Sequence, residues 1–219
     1  MKIALLGASR GLGYHIAKQV LKEHSLFIAA RKIELLDSLP LAAEESLELF
    51  ACDFSKEEKL PELIEQLRSF QPQAIWYFAG GGPYGKFADK QWKDHLWSWQ
   101  VTFLTPAYLL QQIFKNQFPF CQQFVVIGSS VAESLPDPLA ASYCAAKHAL
   151  KGLITSVQLE EDAKDIMLFS PGYMDTDLLP PNAYPRQQNK LILSPEKVAN
   201  DFLQWVFDPQ AERHFTYAH

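Results

Sequence analysis

Cysteines are few and long apolar runs are missing from this 219-residue sequence. The three cysteines, Cys52, Cys121 and Cys144, form no close pair, so they exclude a disulfide framework and a C-x-x-C redox or zinc motif. Apolar runs such as Ala74 to Ala79 fall far short of the roughly 18 residues that a membrane span needs. We therefore expect a cytoplasmic protein with no membrane partner.

Basic residues are too few for a protein that holds nucleic acid through its phosphates. Lys and Arg number 20 against 25 Asp and Glu, which gives a formal net charge of −5, and the sequence contains no basic block. We therefore expect no nucleic-acid partner. The six histidines show no spacing typical of metal ligands, so we also expect no metal site.

The composition is that of a globular domain with a sizeable core. Hydrophobic residues make up 48% of the chain and charged residues 21%, which excludes disordered and fibrous proteins. The length leaves one or two domains open, but doubly wound α/β units often run past roughly 200 residues as one domain. We predict a single domain over residues 1–219.

Short apolar runs alternate with longer amphipathic stretches along the chain. Because the runs are continuously apolar, they predict strands that are buried on both faces. The stretches 12–20 and 60–67 each carry one apolar stripe at helical spacing. The alternation predicts an α/β fold, a doubly wound parallel sheet of the Rossmann type, with ligands at the carboxyl ends of the strands. The six predicted strands are Lys2 to Leu6, Leu26 to Ala30, Leu47 to Ala51, Ala74 to Ala79, Phe124 to Gly128 and Ile166 to Phe169.

The segment from Pro171 to Pro195 is irregular. It holds five prolines and a polar run from Arg186 to Lys190, which predicts a loop or a broken helix. A loop of this length inside a compact domain is usually functional, so we expect a substrate lid over about 171–195. The alternative is a connection that is merely mobile.

A glycine-rich turn follows the first predicted strand and leads directly into a helix. It reads Leu6-Gly7-Ala8-Ser9-Arg10-Gly11-Leu12-Gly13. Glycines allow a tight turn and a close approach of the backbone to a pyrophosphate, whose charge meets the free N–H groups of the helix N-terminus. Glycine is common in all turns, so this motif alone is weak evidence.

A tyrosine and a lysine form the second motif. Tyr143 and Lys147 lie at i and i+4 of a helical pattern, so they share one helix face. A neighbouring ammonium can lower the pKa of a phenol toward the working range of an acid or base. Ser130 comes thirteen positions before Tyr143, just after the strand ending at Gly128. It is predicted to polarise a substrate carbonyl while the tyrosine delivers a proton.

Together these residues closely resemble the classical short-chain dehydrogenase/reductase family over nearly the whole chain. The resemblance implies hydride transfer between a nicotinamide and a carbonyl or alcohol carbon, with Ser130, Tyr143 and Lys147 as the catalytic residues. It also implies that Lys147 holds the ribose hydroxyls of the cofactor. The implied cofactor-binding residues are Gly7, Ser9, Arg10, Gly11, Leu12, Gly13, Arg31, Asp53, Phe54, Ala79, Gly80, Tyr143, Lys147, Pro171, Gly172 and Thr176.

The end of the second predicted strand bears on the choice of cofactor. It reads Ala29-Ala30-Arg31 and lacks the acidic residue that NAD-binding proteins use for the ribose diol. Arg31 and Arg10 lie where the resemblance puts the residues that bind a 2′-phosphate, and guanidinium suits a phosphate. We therefore predict NADP(H). The alternative is that Arg31 only caps a surface helix.

Three positions depart from the family pattern. Phe78 stands for the usual Asn, Glu133 for a glycine, and Thr102 for the Asn that completes the family's catalytic tetrad. Because that Asn helps to hold a water that serves the lysine, its replacement puts the proton relay in doubt. The alternative function is therefore a catalytically impaired NADP(H)-binding sensor or scaffold module.

The expected partners are a small-molecule carbonyl or alcohol substrate and further copies of this chain. The stretches 92–114 and 143–159 carry more aromatic and apolar residues than one sheet face needs, which predicts a homodimer or homotetramer. Neither the substrate nor the physiological direction of the reaction can be read from the sequence.

Overall fold

A computed structural model describes residues 1–39, 46–134, 136–160 and 164–217. These residues form a seven-stranded sheet in the order β3-β2-β1-β4-β5-β6-β7, in which every neighbouring pair is parallel. The strands are β1 (Lys2–Leu6), β2 (Ser25–Ala30), β3 (Leu47–Ala51), β4 (Ala74–Tyr77), β5 (Gln123–Ile127), β6 (Asp165–Ser170) and β7 (His214–Thr216). The predicted doubly wound parallel sheet is confirmed.

Helices cover both faces of the sheet. They are α1 (Gly11–Val20), α2 (Leu60–Phe70), α3 (Trp92–Trp99), α4 (Thr105–Phe114), α5 (Ala141–Val157), α6 (Tyr184–Gln187) and α7 (Pro195–Val206). Residues of α2, α4 and α5 share one buried core with alternate residues of the strands, and residues of α1 and α7 share a second core with the others. In β1, for example, Ala4 belongs to the first core and Leu5 to the second. Alternation along each strand therefore supplies both cores.

The two edges of the sheet differ from the sequence prediction. β3 was expected to be buried on both faces, but Leu49 is 41% exposed and its strand neighbours Glu48 and Ala51 are exposed too. β3 pairs only with β2, so no further strand or helix covers it fully. The opposite edge strand, β7, was not predicted. It has three residues and no apolar run that would mark it as a strand.

The stretch 92–114 is helical in three parts. α3 and α4 follow one another, joined by a π-helical turn over Gln100–Leu104. Pro106 near the start of α4 removes one backbone donor at this junction. Single π turns of this kind frequently occur at functional sites, and Thr102 lies in the middle of it.

The irregular segment after β6 agrees with its predicted secondary structure. Between Pro171 and Pro195 the chain forms only the four-residue helix α6 and one isolated bridge between Met174 and Leu193. Its function as a lid stays a prediction.

A buried polar cluster ties β6, β7 and α5 to the turn that follows β5. Glu133 accepts hydrogen bonds from Ser170 and Lys151, and it pairs with His214. Burial alone would raise the pKa of Glu133, but these partners together hold it below its usual value. Glu133, which replaces the family's glycine, is therefore ionised and joins four elements. Among the described residues, no helix is both long and apolar enough to cross a membrane.

The exposed side chains of α3 generate a prediction about assembly. Trp92 is 67% exposed and Leu96 52%, and they lie one helical turn apart. We expect this face to pack against another copy of the chain, because removing large apolar side chains from water lowers the free energy. Light scattering should then give two or four times the 24.9 kDa chain mass.

The double variant Trp92→Lys, Leu96→Lys should shift the protein toward the monomer. A suitable control is Leu191→Lys, because Leu191 is 75% exposed but lies outside α3. A parent protein that scatters as a 24.9 kDa particle at micromolar concentration would contradict the prediction.

Candidate active site

A cavity of about 470 Å³ lies at the carboxyl ends of the strands. It is lined by every residue that the sequence predicted for cofactor contact: Gly7, Ser9, Arg10, Gly11, Leu12, Gly13, Arg31, Asp53, Phe54, Ala79, Gly80, Tyr143, Lys147, Pro171, Gly172 and Thr176. These residues come from the loops and helices that follow six different strands. The parallel sheet thus brings together groups that are far apart in the sequence.

The glycine-rich turn is held by close backbone contact. Gly7 has a φ of +91°, and a Cβ atom at this position would lie 2.5 Å from the Ala79 nitrogen. The Gly7 N–H also donates to the Ala29 oxygen at 2.8 Å. Only glycine therefore fits where the ends of β1, β2 and β4 meet.

The N-terminus of α1 opens into the cavity. The amides of Gly11, Leu12 and Gly13 occupy the first turn, where a helix has no carbonyl acceptors for its N–H groups. Arg10 precedes them and makes no capping bond, and the first turn holds no acidic residue. Free amides and the positive end of the helix dipole make this turn a site for an anion.

Basic side chains surround the end of β2. Arg31 and Lys32 are exposed and line the cavity together with Arg10. The Arg10 guanidinium lies 3.4 Å from a carboxylate oxygen of Asp177, in a pair whose side chains are 60% and 78% exposed. Such an exposed pair contributes little to stability, so a phosphate could replace the carboxylate at small cost. The sequence analysis did not single out Lys32.

Tyr143 and Lys147 face each other as their i, i+4 spacing predicts. The Lys147 ammonium lies 5.6 Å from the centroid of the Tyr143 ring and donates a hydrogen bond to the Ile127 oxygen. Burial lowers the pKa of Lys147 to about 7 and raises the pKa of Tyr143 to about 12. In the protein alone, loss of solvent therefore raises the phenol pKa, in place of the lowering by the lysine that was expected.

Two neighbouring serines follow β5, and the structure places them differently. Ser129, rather than Ser130, lines the cavity, and a hydrogen bond from Ser129 opposes the rise in the pKa of Tyr143. Ser129 has extended backbone angles, so it continues the alternation of β5, whereas Ser130 begins a short 3-10 helix. The Ser130 N–H is bound to the Pro171 oxygen, and the residue is only 3% exposed.

Thr102 holds the loop after β4. Its hydroxyl donates to the Gly81 oxygen and accepts from the Gly81 nitrogen, both at 3.0 Å. Ser98 donates to the same oxygen at 2.7 Å. A Cβ atom on Gly80 would lie 3.3 Å from the Lys147 nitrogen and 3.6 Å from the Thr102 hydroxyl. The residue at the family's Asn position thus fixes the backbone beside the lysine.

The far end of the cavity holds residues that the sequence analysis did not select. Tyr84, Trp97, Asp137 and Tyr173 all line it. Trp97 belongs to the stretch 92–114 that was expected to pack between subunits, but its ring lies against Gly81 in the cavity wall. No motif marks these positions, since they come together only through the fold.

The cavity fits a nicotinamide dinucleotide. Free amides and Arg10 meet the requirements of phosphate groups, while Asp53 can accept a hydrogen bond at the adenine end. Lys147 and Tyr143 would hold the nicotinamide end near the loop of Ala79 and Gly80. Among the described residues, no group of three acidic, histidine or cysteine side chains could hold a metal ion.

Comparison with known proteins identifies relatives of the whole chain. Residues 2–186 match the short chain dehydrogenase family. The hydroxysteroid 11-beta-dehydrogenase 1-like protein B of Xenopus laevis is 24% identical over 232 aligned residues, covering 99% of this chain and 78% of that protein.

Solved structures share the fold. An alcohol dehydrogenase from Thermococcus sibiricus, complexed with 5-hydroxy-NADP, superposes with a TM-score of 0.79 at 20% identity, covering 99% of this chain and 94% of its own. A 4-hydroxyisoleucine dehydrogenase complexed with NADH gives 0.82 at 20% identity, covering 98% and 96%. At these identities the likeness establishes the architecture alone.

The contact at Gly7 generates a prediction about stability. Gly7→Ala should lower the free energy of unfolding by about 2 to 3 kcal/mol, because the new Cβ meets the Ala79 backbone at an unfavourable φ. Urea unfolding followed by tryptophan fluorescence measures this change.

Gly152→Ala is the matched control. Gly152 lies inside α5 with no atom within 4 Å of an added Cβ, so this variant should gain about 0.5 to 1 kcal/mol through helix propensity. Equal effects of the two substitutions would show that the close approach at Gly7 does not constrain the turn.

Proposed function

This chain belongs to the short chain dehydrogenase family, and we propose on that premise that it is an NADP(H)-dependent oxidoreductase with Tyr143 as general acid/base. The reaction is transfer of a hydride between the nicotinamide and a small-molecule carbonyl or alcohol. The observation that carries the proposal is the shared cavity of Tyr143, Ser129 and the glycine-rich turn. A proton donor and an anion site in one cavity suit reduction of a carbonyl beside a dinucleotide.

Tyr143 and Ser129 act on the carbonyl oxygen of the substrate. When bound, NADPH supplies the hydride that reduces the carbonyl carbon. Ser129 donates its hydroxyl proton in a hydrogen bond to the oxygen as negative charge develops, and its own oxygen accepts from the Val131 N–H at 3.4 Å. Tyr143 then gives its phenolic proton to that oxygen, which completes the alcohol and leaves a phenolate.

Lys147 stabilises the phenolate. Burial holds the pKa of its ammonium at about 7, so the lysine exchanges protons readily near neutral pH. A negative charge on Tyr143 favours the ammonium, since opposite charges at this range attract. The bond from Lys147 to the Ile127 oxygen fixes its position on the floor of the cavity.

Two observations count against the alternative of an impaired sensor or scaffold. Tyr143 and Lys147 both line the cavity, and the Lys147 ammonium lies 5.6 Å from the centroid of the Tyr143 ring. Thr102, at the position of the tetrad Asn, stabilises the loop after β4, because both of its hydrogen bonds are to the Gly81 backbone. The substitution therefore leaves the loop beside the lysine ordered.

The preference for NADP(H) rests on charge. Arg10, Arg31 and Lys32 line the β2 end of the cavity. The strand itself ends in Ala30, so no carboxylate stands there to repel a 2′-phosphate or to bind a ribose diol. Charge-assisted hydrogen bonds from guanidinium favour the phosphorylated cofactor.

NADPH should bind at least about tenfold more tightly than NADH, a difference of about 1.4 kcal/mol. The double variant Arg10→Ala, Arg31→Ala should erase the preference because it removes the guanidinium groups. Arg68→Ala is the control, since Arg68 pairs with Glu65 on α2. Calorimetric titration of each variant with both cofactors measures the ratio. Equal affinities in the unmodified protein would refute the assignment.

Tyr143→Phe should keep less than about a tenth of the parent rate, a barrier increase above about 1.4 kcal/mol, while NADPH affinity survives. Lys147→Ala should weaken both rate and binding. The measurement is carbonyl-dependent oxidation of NADPH over a panel of aldehydes and ketones.

Ser129→Ala and Ser130→Ala form a matched pair for the same assay. Ser129→Ala should lose most of the turnover, because it removes the hydroxyl beside Tyr143. Ser130→Ala should keep most of it, since Ser130 does not line the cavity. A larger loss for Ser130→Ala would restore the serine chosen from sequence spacing.

A further inference from the structure

Asp137 lies in the wall of the cavity with an unsatisfied oxygen. The residue is only 7% exposed. Its Oδ1 atom is the one buried side-chain nitrogen or oxygen, among the described residues, that has no hydrogen-bond partner. An unpaired buried polar atom is costly and calls for a reason. Because Asp137 lines the cavity, a bound molecule can supply the missing donor.

The backbone around Asp137 fixes the position of this carboxylate. The backbone carbonyl oxygen of Asp137 accepts hydrogen bonds from the Ala140 N–H at 3.4 Å and from the Cys144 thiol at 3.7 Å. Between them Leu139 has a φ of +71°, a conformation that costs a leucine about 1 kcal/mol or more. The Gly85 N–H donates to the Leu139 oxygen at 2.8 Å and holds this turn. The backbone that carries the carboxylate is thus held in place at the expense of strain at Leu139.

Tyrosine side chains share this part of the cavity with the carboxylate. Tyr84, Tyr143 and Tyr173 pack against one small apolar cluster that includes Ala140. Tyr84 and Tyr173 line the cavity together with Asp137. Burial raises the pKa of Tyr84 and of Tyr173, and the charge of Asp137 raises both further. Aromatic side chains near a negative charge suit a cation.

No ion pair within the described part of the chain compensates this charge. Burial alone raises the pKa of Asp137 to about 6, and the residue belongs to none of the ion pairs among the described residues. At neutral pH the carboxyl is still mainly ionised. A buried and unpaired charge favours binding of a partner of opposite sign.

We propose that Asp137 binds a protonated amine of the substrate, so that the enzyme acts on amino ketones or the corresponding amino alcohols. The assignment rests on the proposed function for the reacting carbonyl. An ammonium group satisfies both needs of the site, because it donates a hydrogen bond to Oδ1 and neutralises the charge. A hydroxyl would satisfy the hydrogen bond only.

A pair of ketones of the same shape tests the proposal. In 2-amino-1-phenylethanone an ammonium occupies the place of the terminal methyl group of 1-phenyl-1-propanone. With NADPH, kcat/KM for the aminated ketone should exceed that for its counterpart by at least about tenfold. Asp137→Asn keeps the shape and removes the charge, so it should abolish this ratio and leave the uncharged ketone nearly unaffected.

Asp175→Asn is the control. Asp175 is another carboxylate that lines the cavity, but it follows β6, is exposed and is paired with Arg186, so the ratio should persist. Asp137→Asn should also raise Tm, because it removes an unpaired buried charge. A raised Tm would also show that the variant is folded.

Binding separates this proposal from the proposed function. Calorimetry of 2-phenylethylamine with the NADPH-saturated protein should detect binding that Asp137→Asn weakens by at least about tenfold. If neither ketone is reduced while this amine binds through Asp137, the proposed reaction fails and the amine site stands.

Equal rates for both ketones, unchanged by Asp137→Asn, would overturn the amine site and leave the oxidoreductase intact. A preference for 2-hydroxy-1-phenylethanone that depends on Asp137 would likewise overturn it, in favour of a hydroxyl.

Discussion

The backbones at Gly7 and Ala79 touch where β1 and β4 end, and the rest of the site depends on this contact. A Cβ atom at Gly7 would lie 2.5 Å from the Ala79 nitrogen. The close approach lets the glycine-rich turn and the loop of Gly80 and Gly81 border one cavity. Thr102 and Ser98 then fix Gly81 from the helical side. A sheet whose strands all run in one direction gathers these loops at a single edge.

Loss of water governs the electrostatics of the cavity. Burial moves the pKa of Lys147 down to about 7 and that of Asp137 up to about 6, so a basic group and an acidic group both change charge near neutral pH. Glu133 shows the contrasting case, because its partners overcome burial and keep its pKa low. Lys147 and Asp137 belong to none of the ion pairs among the described residues, whereas Glu133 pairs with both Lys151 and His214. Such a contrast is typical of functional sites.

Much of the fold could be read from local patterns, and the exceptions have physical reasons. The apolar runs predicted six strands, but β7 is three residues long and is defined mainly by its pairing with β6. The glycine-rich turn and the Tyr143–Lys147 pair are local signals, and their residues do line the cavity. The choice between Ser129 and Ser130 depends on where the strand alternation stops, which spacing alone does not reveal. Asp137 becomes notable only when its surroundings are known.

The π turn at Gln100–Leu104 gives one continuous helical rod two different registers. A π turn contains an extra residue, and each residue rotates a helix by about 100°. Upstream of it, Trp97 and Ser98 are directed at the loop of Gly81. Downstream, Leu109 and Ile113 are directed at the sheet. The extra residue therefore offsets the helical phase of α4 from that of α3 in the sequence, and one continuous helix contacts the loop of Gly81 through α3 and the core through α4.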